Sequence, residues 1–95
     1  MLERGAVAVD VRERWEWRRG HLAAAMHIPL GQLGRRLHEL PRGTRIVVVC
    51  RRGNRSGSVV PPLRDRGYDA VNLEGGLQAW RRAGLPLARD DGKRV

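Results

Sequence analysis

Ile46-Val47-Val48-Val49 (IVVV) runs directly into Cys50-Arg51-Arg52-Gly53-Asn54-Arg55-Ser56 (CRRGNRS). Four β-branched residues in a row are the strongest strand signal in the chain and the most buried-looking one. The residues after it are of the opposite character, polar and rich in arginine, with a thiol at the first position and a glycine that can take backbone angles closed to other residues. In an open α/β sheet, ligands gather beyond the carboxyl ends of the strands. Cys50 stands at such an end.

Upstream, residues 6–11 (AVAVDV) predict a second short strand, and residues 14–19 one or two helical turns ended by Gly20. Residues 26–28 form a brief apolar stretch stopped by Pro29. Leu30, Leu33, Leu37 and Leu40 recur at three- and four-residue steps and predict an amphipathic helix closed by Pro41. Downstream, the polar loop extends to Ser58 and gives way to a helix ending near Arg66 and Gly67. Pro61-Pro62 require that helix to start late or to bend, since an interior proline costs about 3 kcal/mol. Residues 70–73 read as a strand, Gly75-Gly76 as a turn and residues 77–83 as a last helix stopped by Gly84. Strands alternating with helices predict an α/β fold with a small, mainly parallel sheet flanked by helices.

The 95 residues suit one domain spanning 1–95, with a core over about 6–87 and a charged tail over 88–95. A chain of this mass buries roughly 65% of its unfolded surface, enough for one modest core. No apolar run approaches the roughly 18 residues of a membrane span, and no early apolar segment reads as a secretory signal. The expectation is a cytoplasmic protein without membrane contact. Cys50 is the only cysteine, which excludes an intrachain disulfide framework and a multi-cysteine metal cluster; no metal or cofactor is expected. The net charge is +9, and arginine supplies all but one of the 19 basic residues. Such an excess can mark an affinity for anions or nucleic acid. With one tyrosine and no phenylalanine, a basic stripe interleaved with stacking aromatics is not written here. A nucleic-acid partner is therefore disfavoured, and the arginines read more readily as compositional.

At Cys50, a curl of the loop would aim successive N–H groups at the sulfur, and a following helix N-terminus would add partial positive charge. Arg51, Arg52 and Arg55 act in the same direction. A free thiol titrates near ~8.5, and this setting lowers that value and favours a nucleophilic thiolate. The alternative is a small buried hydrophobe that happens to end a strand.

The segment from Cys50 to Ser56 resembles the active-site loop of rhodanese-like sulfurtransferases. Val9-Asp10-Val11-Arg12-Glu13, Glu16-Trp17, Gly20-His21-Leu22, Ala25, Ile28-Pro29, Gly67-Tyr68, Leu73-Glu74-Gly75-Gly76-Leu77, Ala79-Trp80 and Ala83-Gly84-Leu85-Pro86 resemble further motifs of that family, in its order. The resemblance implies a rhodanese-like three-layer fold and a ping-pong sulfur transfer. Cys50 would attack a small anionic donor such as thiosulfate, hold a persulfide, and pass the sulfur to an external thiol, cyanide or protein acceptor. The N–H groups of Arg51, Arg52, Gly53, Asn54, Arg55 and Ser56 would cradle the persulfide, with the arginines attracting the donor and Arg55 also anchoring the loop. Six residues from Cys50 to Arg55 match the sulfur-transfer branch; related phosphatases and arsenate reductases have a loop one residue longer. A non-catalytic module using its basic surface for binding is the alternative.

The chain departs from the family at Ala23-Ala24, where proline and glycine are usual, and at Pro61-Pro62, where the helix is usually continuous. Asp10 and Arg12 would either form a buried pair supporting the active loop or act as a local turn cap. His21 is expected to stabilise a turn, His27 and His38 to lie on the surface, and one of Trp15 and Trp17 to pack inside.

Overall fold

All the strand pairings are parallel. β1 (Val7–Asp10), β2 (Met26–His27), β3 (Ile46–Val49) and β4 (Ala70–Asn72) lie in the order β2-β1-β3-β4, with Val9 beside Val48, Asp10 beside Val49 and Val47 beside Val71. The computed structural model describes residues 5–89, so residues 90–95 of the expected charged tail lie outside the described residues. β3 is a central strand, and its alternation splits the core in two. Ile46, Val48 and Cys50 join Val9, Val11, Val59, Val60 and Leu63 on one face. Val47 and Val49 join Ala8, Leu22, Leu77 and Leu87 on the other. Burial on both faces is why this strand carries no polar residue.

The helices that supply these partners are α1 (Arg14–Arg18), α2 (Asn54–Asp65) and α3 (Gly76–Arg82). The architecture is thus the expected α/β one, with α2 covering one face of the sheet and α3 the other. From β1 the chain winds out to β2 and then returns to the far side of β1 to form β3. The winding reverses between β1 and β3, and at such a switch point the loops leaving the two strand ends part and leave a crevice. Those loops are Val11-Arg12-Glu13 and the segment that begins at Cys50.

Two expectations are corrected. The helix predicted over residues 30–40 is instead a pair of 3₁₀ turns, Leu30–Gln32 and Gly34–Glu39, with Arg36 out of helical geometry at φ −113° and ψ 15°. Gly31 and Gly34 weaken a helix there, and the tighter winding still buries Leu33 and Leu40. α2 starts at Asn54, inside the expected loop, and continues without a break through Pro61 and Pro62. Both prolines sit on the exposed side, while Val59, Val60 and Leu63 are buried. The carbonyls the prolines leave without a helical partner belong to Gly57 and Ser58, which water can reach. Packing of the inner face outweighs the missing bonds.

After α3 the chain folds back. Leu87 is buried, and Ala88 forms an antiparallel bridge with His21 through N–H···O bonds of 2.9 and 2.7 Å.

The Ala23-Ala24 departure has a visible consequence. Ala25 N–H bonds to Leu22 O at 3.2 Å, closing a β-turn in which Ala24 has φ +64°. A positive φ at that turn position suits glycine and costs an alanine roughly 1 kcal/mol. Ala24→Gly is therefore expected to stabilise the fold by about 1 kcal/mol, raising Tm by about 4–8 °C for a domain of this size. Thermal unfolding followed by circular dichroism measures this, and an unchanged or lower Tm contradicts it.

Candidate active site

Strand alternation places the thiol. Cys50 continues the Ile46–Val48 face, which α2 covers, so its sulfur is directed at the first turn of that helix. Gly53 N–H reaches Sγ at 3.0 Å and Ser56 N–H at 3.4 Å. The Ser56 hydroxyl lies 3.2 Å away. The residue is only 1% exposed, as an inert cysteine would be, yet its sulfur is met by amide donors as well as aliphatic carbon. Burial is the largest single influence and pushes the thiol pKa up. Hydrogen bonds from the Ser56 hydroxyl and from the N–H groups of Ser56, Gly53 and Arg52 together outweigh it, so the pKa falls below its ordinary value.

The curl that turns these amides inward is held from outside. Gly53 adopts φ +93°, and Gly76, at φ +60°, sits so close to the loop that a Cβ there would lie 2.5 Å from the Cys50 carbonyl oxygen. With no side chain in the way, Leu77 N–H bonds to Cys50 O at 2.9 Å and Gln78 N–H to Arg51 O at 2.8 Å. The start of α3 thereby takes up the carbonyls at the start of the loop. Asn72, at the end of β4, donates through Nδ2 to Gly53 O at 3.1 Å and accepts the Ser56 hydroxyl through Oδ1. Ser56 has one hydroxyl proton for two acceptors, the Asn72 oxygen and the sulfur. The backbone amides stabilise a thiolate whichever way that proton turns.

A second chain of contacts leads from β1. Asp10 is fully buried and receives Arg12 Nη2 at 2.8 Å and Nε at 3.0 and 3.1 Å. The same guanidinium donates to the carbonyls of Glu16 and Gly20, at 3.3 and 2.7 Å, fixing α1 against the strand end. Both expectations for Asp10 and Arg12 are met: the two form a buried ion pair, and Asp10 also caps the following turn by accepting the Arg12 N–H at 3.0 Å. Glu16 then grips the loop. Its carboxylate takes both terminal nitrogens of Arg55 at 2.6 and 2.7 Å and also accepts Glu13 N–H at 3.1 Å. The Arg55 side-chain hydrogen bond is the largest influence on Glu16 and holds its carboxyl below the usual range, while the Arg55 guanidinium is raised.

Of the three loop arginines, Arg55 is thus committed to an ion pair, whereas Arg51 and Arg52 are exposed at the mouth of a pocket of about 490 Å³. Cys50, Asn54, Arg55 and Glu16 line it too. Glu16 and Asn72 were not singled out in the sequence as site residues. The available signal for Glu16 was its spacing from Glu13, which forms a capping box at the start of α1; nothing local marks Asn72.

The histidines behave differently from one another. His21 donates through Nδ1 to Trp17 O at 2.9 Å and stacks on the Trp17 ring at 3.5 Å, consistent with a turn-stabilising role. His27 is no surface residue: it stacks on Trp17 at 4.7 Å and donates Nε2–H to Arg12 O at 2.8 Å. Trp17 is the inner tryptophan and Trp15 is 58% exposed. No histidine contact to the Cys50 sulfur is present among the described residues.

Comparison with known proteins agrees with this geometry. A family model described as rhodanese-like domain matches residues 1–83. The chain is 36% identical to a protein named sulfurtransferase from Allochromatium vinosum over 88% of its own length and 79% of the relative's. It is 38% identical to an uncharacterised Synechocystis protein over 87% of its own length, spanning 47% of that longer relative. A rhodanese-related protein from Thermoplasma volcanium superposes with a TM-score of 0.86 at 34% identity, covering 90% of this chain and 85% of that one.

The Glu16–Arg55 pair carries a pH signature. Because folding lowers the Glu16 pKa, its contribution is present above the unfolded value and is lost as pH falls through the folded one. Glu16→Gln is expected to cost about 1–2 kcal/mol at pH 7, between the exposed and buried limits for ion pairs. The difference from wild type should begin to shrink as pH falls below the ~4.3 of a free glutamate and should close only as pH falls through the lower folded value, where the wild-type carboxylate takes up its proton. Denaturant unfolding at pH 7 and at low pH reads this out; a gap independent of pH would show that the carboxylate charge is irrelevant.

Proposed function

The chain belongs to the rhodanese-like domain family, and from that premise we propose that it is a sulfurtransferase carrying sulfane sulfur as a persulfide on Cys50. The observation that carries this reading is the sulfur itself, placed at a strand end and met by inward amides within a six-residue loop. A thiolate there attacks the outer sulfur of thiosulfate. The S–S bond of the donor breaks, sulfite leaves with the electron pair, and Cys50 becomes a persulfide anion. Cyanide or an external thiolate then takes the outer sulfur and returns Cys50 as thiolate, so charge and electrons balance in both halves.

The chain's own groups supply what each half needs. The N–H groups of Gly53 and Ser56 and the N-terminal end of α2 face the sulfur where negative charge resides. Arg51 and Arg52 sit at the pocket mouth and attract a doubly charged donor, while Arg55, Glu16, Arg12 and Asp10 position the loop. With no second cysteine among these 95 residues, no thiol of this domain competes for the persulfide, and the acceptor lies outside the domain. A thiol used in this way must stay reduced, which suits a cytoplasmic setting.

Incubation with thiosulfate is expected to add one sulfur, about 32 Da, to wild-type protein and none to Cys50→Ser, with thiocyanate produced once cyanide is added. Intact mass spectrometry and a thiocyanate assay read these results. A wild-type chain that takes up no sulfur from thiosulfate or from a low-molecular-mass persulfide would defeat the proposal.

The thiol should also reveal its lowered pKa. Alkylation by iodoacetamide, followed by mass against pH, is expected to rise and level off below the ~8.5 of an ordinary thiol. Ser56→Ala should slow alkylation at neutral pH by only about fivefold, the weight of one hydrogen bond of ~1 kcal/mol, because the backbone amides remain. A midpoint at or above the ordinary value means that burial, not hydrogen bonding, governs this sulfur.

A further inference from the structure

A second pocket, of about 370 Å³, adjoins the Cys50 pocket and shares Trp15, Glu16 and Arg51 with it. Arg19 enters from the end of α1, and Arg81 and Arg82 from the last turn of α3. The pocket's acid, Glu16, is engaged by Arg55, and Arg12 is engaged by Asp10. Among the described residues Arg19, Arg51, Arg81 and Arg82 make no ion pair, so no described acid balances the four guanidinium charges that line the pocket. Their mutual repulsion is a cost unless an anion enters. Leu77 and Leu87 line the pocket with buried apolar side chains, and Trp15, with Arg19 5.3 Å from its ring centroid, stands where the two pockets meet.

We propose that this pocket is a subsite for the anionic end of a low-molecular-mass thiol or of its persulfide, seated with its sulfur end in the Cys50 pocket. The proposal rests on the persulfide reading above for what the sulfur does, but not for what the pocket binds. Carboxylate and phosphate groups both match the planar fork of arginine and take two parallel hydrogen bonds from it. An apolar lining beneath a cationic rim fits a molecule with an aliphatic stem between its sulfur and its charges. The volume falls in the range of small-molecule sites. Thiosulfate has no second anionic group set apart from its sulfur by a stem, whereas a charged thiol can place its sulfur in one pocket and its charges in the adjoining one.

The test separates binding from chemistry. Calorimetric titration of Cys50→Ser protein with S-methylglutathione, which bears carboxylates, and with S-methyl-coenzyme A, which bears phosphates, is expected to show salt-sensitive binding of at least one. The double variant Arg81→Gln/Arg82→Gln, and Arg19→Gln on a different element, should each weaken it about tenfold, the effect of losing charge-assisted hydrogen bonds. In the second arm, sulfur-loaded protein is discharged by glutathione or by neutral 2-mercaptoethanol. The double variant should raise KM for glutathione about tenfold and shift the preference towards the neutral thiol. Binding of neither probe, binding indifferent to both variants, or equal effects on both thiols would overturn the proposal. If Cys50 never loads with sulfur, the proposed function fails while the titration still judges the subsite.

Discussion

A buried sulfur can hold negative charge only where hydrogen-bond donors replace the water it has lost, and the fold is arranged around meeting that condition at Cys50. Burial alone pushes the thiol towards neutrality, and only the summed donors from Gly53, Ser56 and Arg52 reverse the sign. Those donors exist because the loop curls, and the curl persists because its carbonyls have partners elsewhere. The N–H groups of Leu77 and Gln78 take the carbonyls of Cys50 and Arg51, and Asn72 takes that of Gly53. A loop free in solvent would have no reason to point its amides one way. This one is fixed from β4 and from the start of α3.

The charges follow the same division between support and chemistry. Asp10, Arg12, Glu16 and Arg55 form a continuous path from the end of β1 to the first turn of α2, and each is paired. Paired charges of this kind fix geometry and contribute little net attraction for a distant anion. Arg51 and Arg52 are exposed beside the thiol, and Arg19, Arg81 and Arg82 are exposed along the adjoining pocket.

The fold tolerates local rules being broken where packing compensates. Ala24 holds a left-handed turn angle that glycine would hold at no steric cost, and Pro61 and Pro62 remain inside a helix whose inner face is buried. In each case a tertiary requirement, delivering the chain to β2 or covering the Val48 face, overrides a preference of about 1 to 3 kcal/mol.

Much was legible in the chain itself. The IVVV run marked a buried strand with Cys50 at its carboxyl end, and a strand's period of two puts Cys50 on the face of Ile46 and Val48. The glycine-bearing, arginine-rich loop marked the thiol as more than a packing residue, because composition and spacing act over short distances along the chain. Three features needed the tertiary structure. The order β2-β1-β3-β4 sets the crevice between β1 and β3, and strand order is a matter of long-range pairing. Glu16 and Asn72 reach the loop from 39 and 16 residues away, distances at which sequence carries no trace of a hydrogen bond. Which arginines are paired and which are free depends on where the acids fall in space, so Arg51 and Arg55, four positions apart in one loop, have opposite fates.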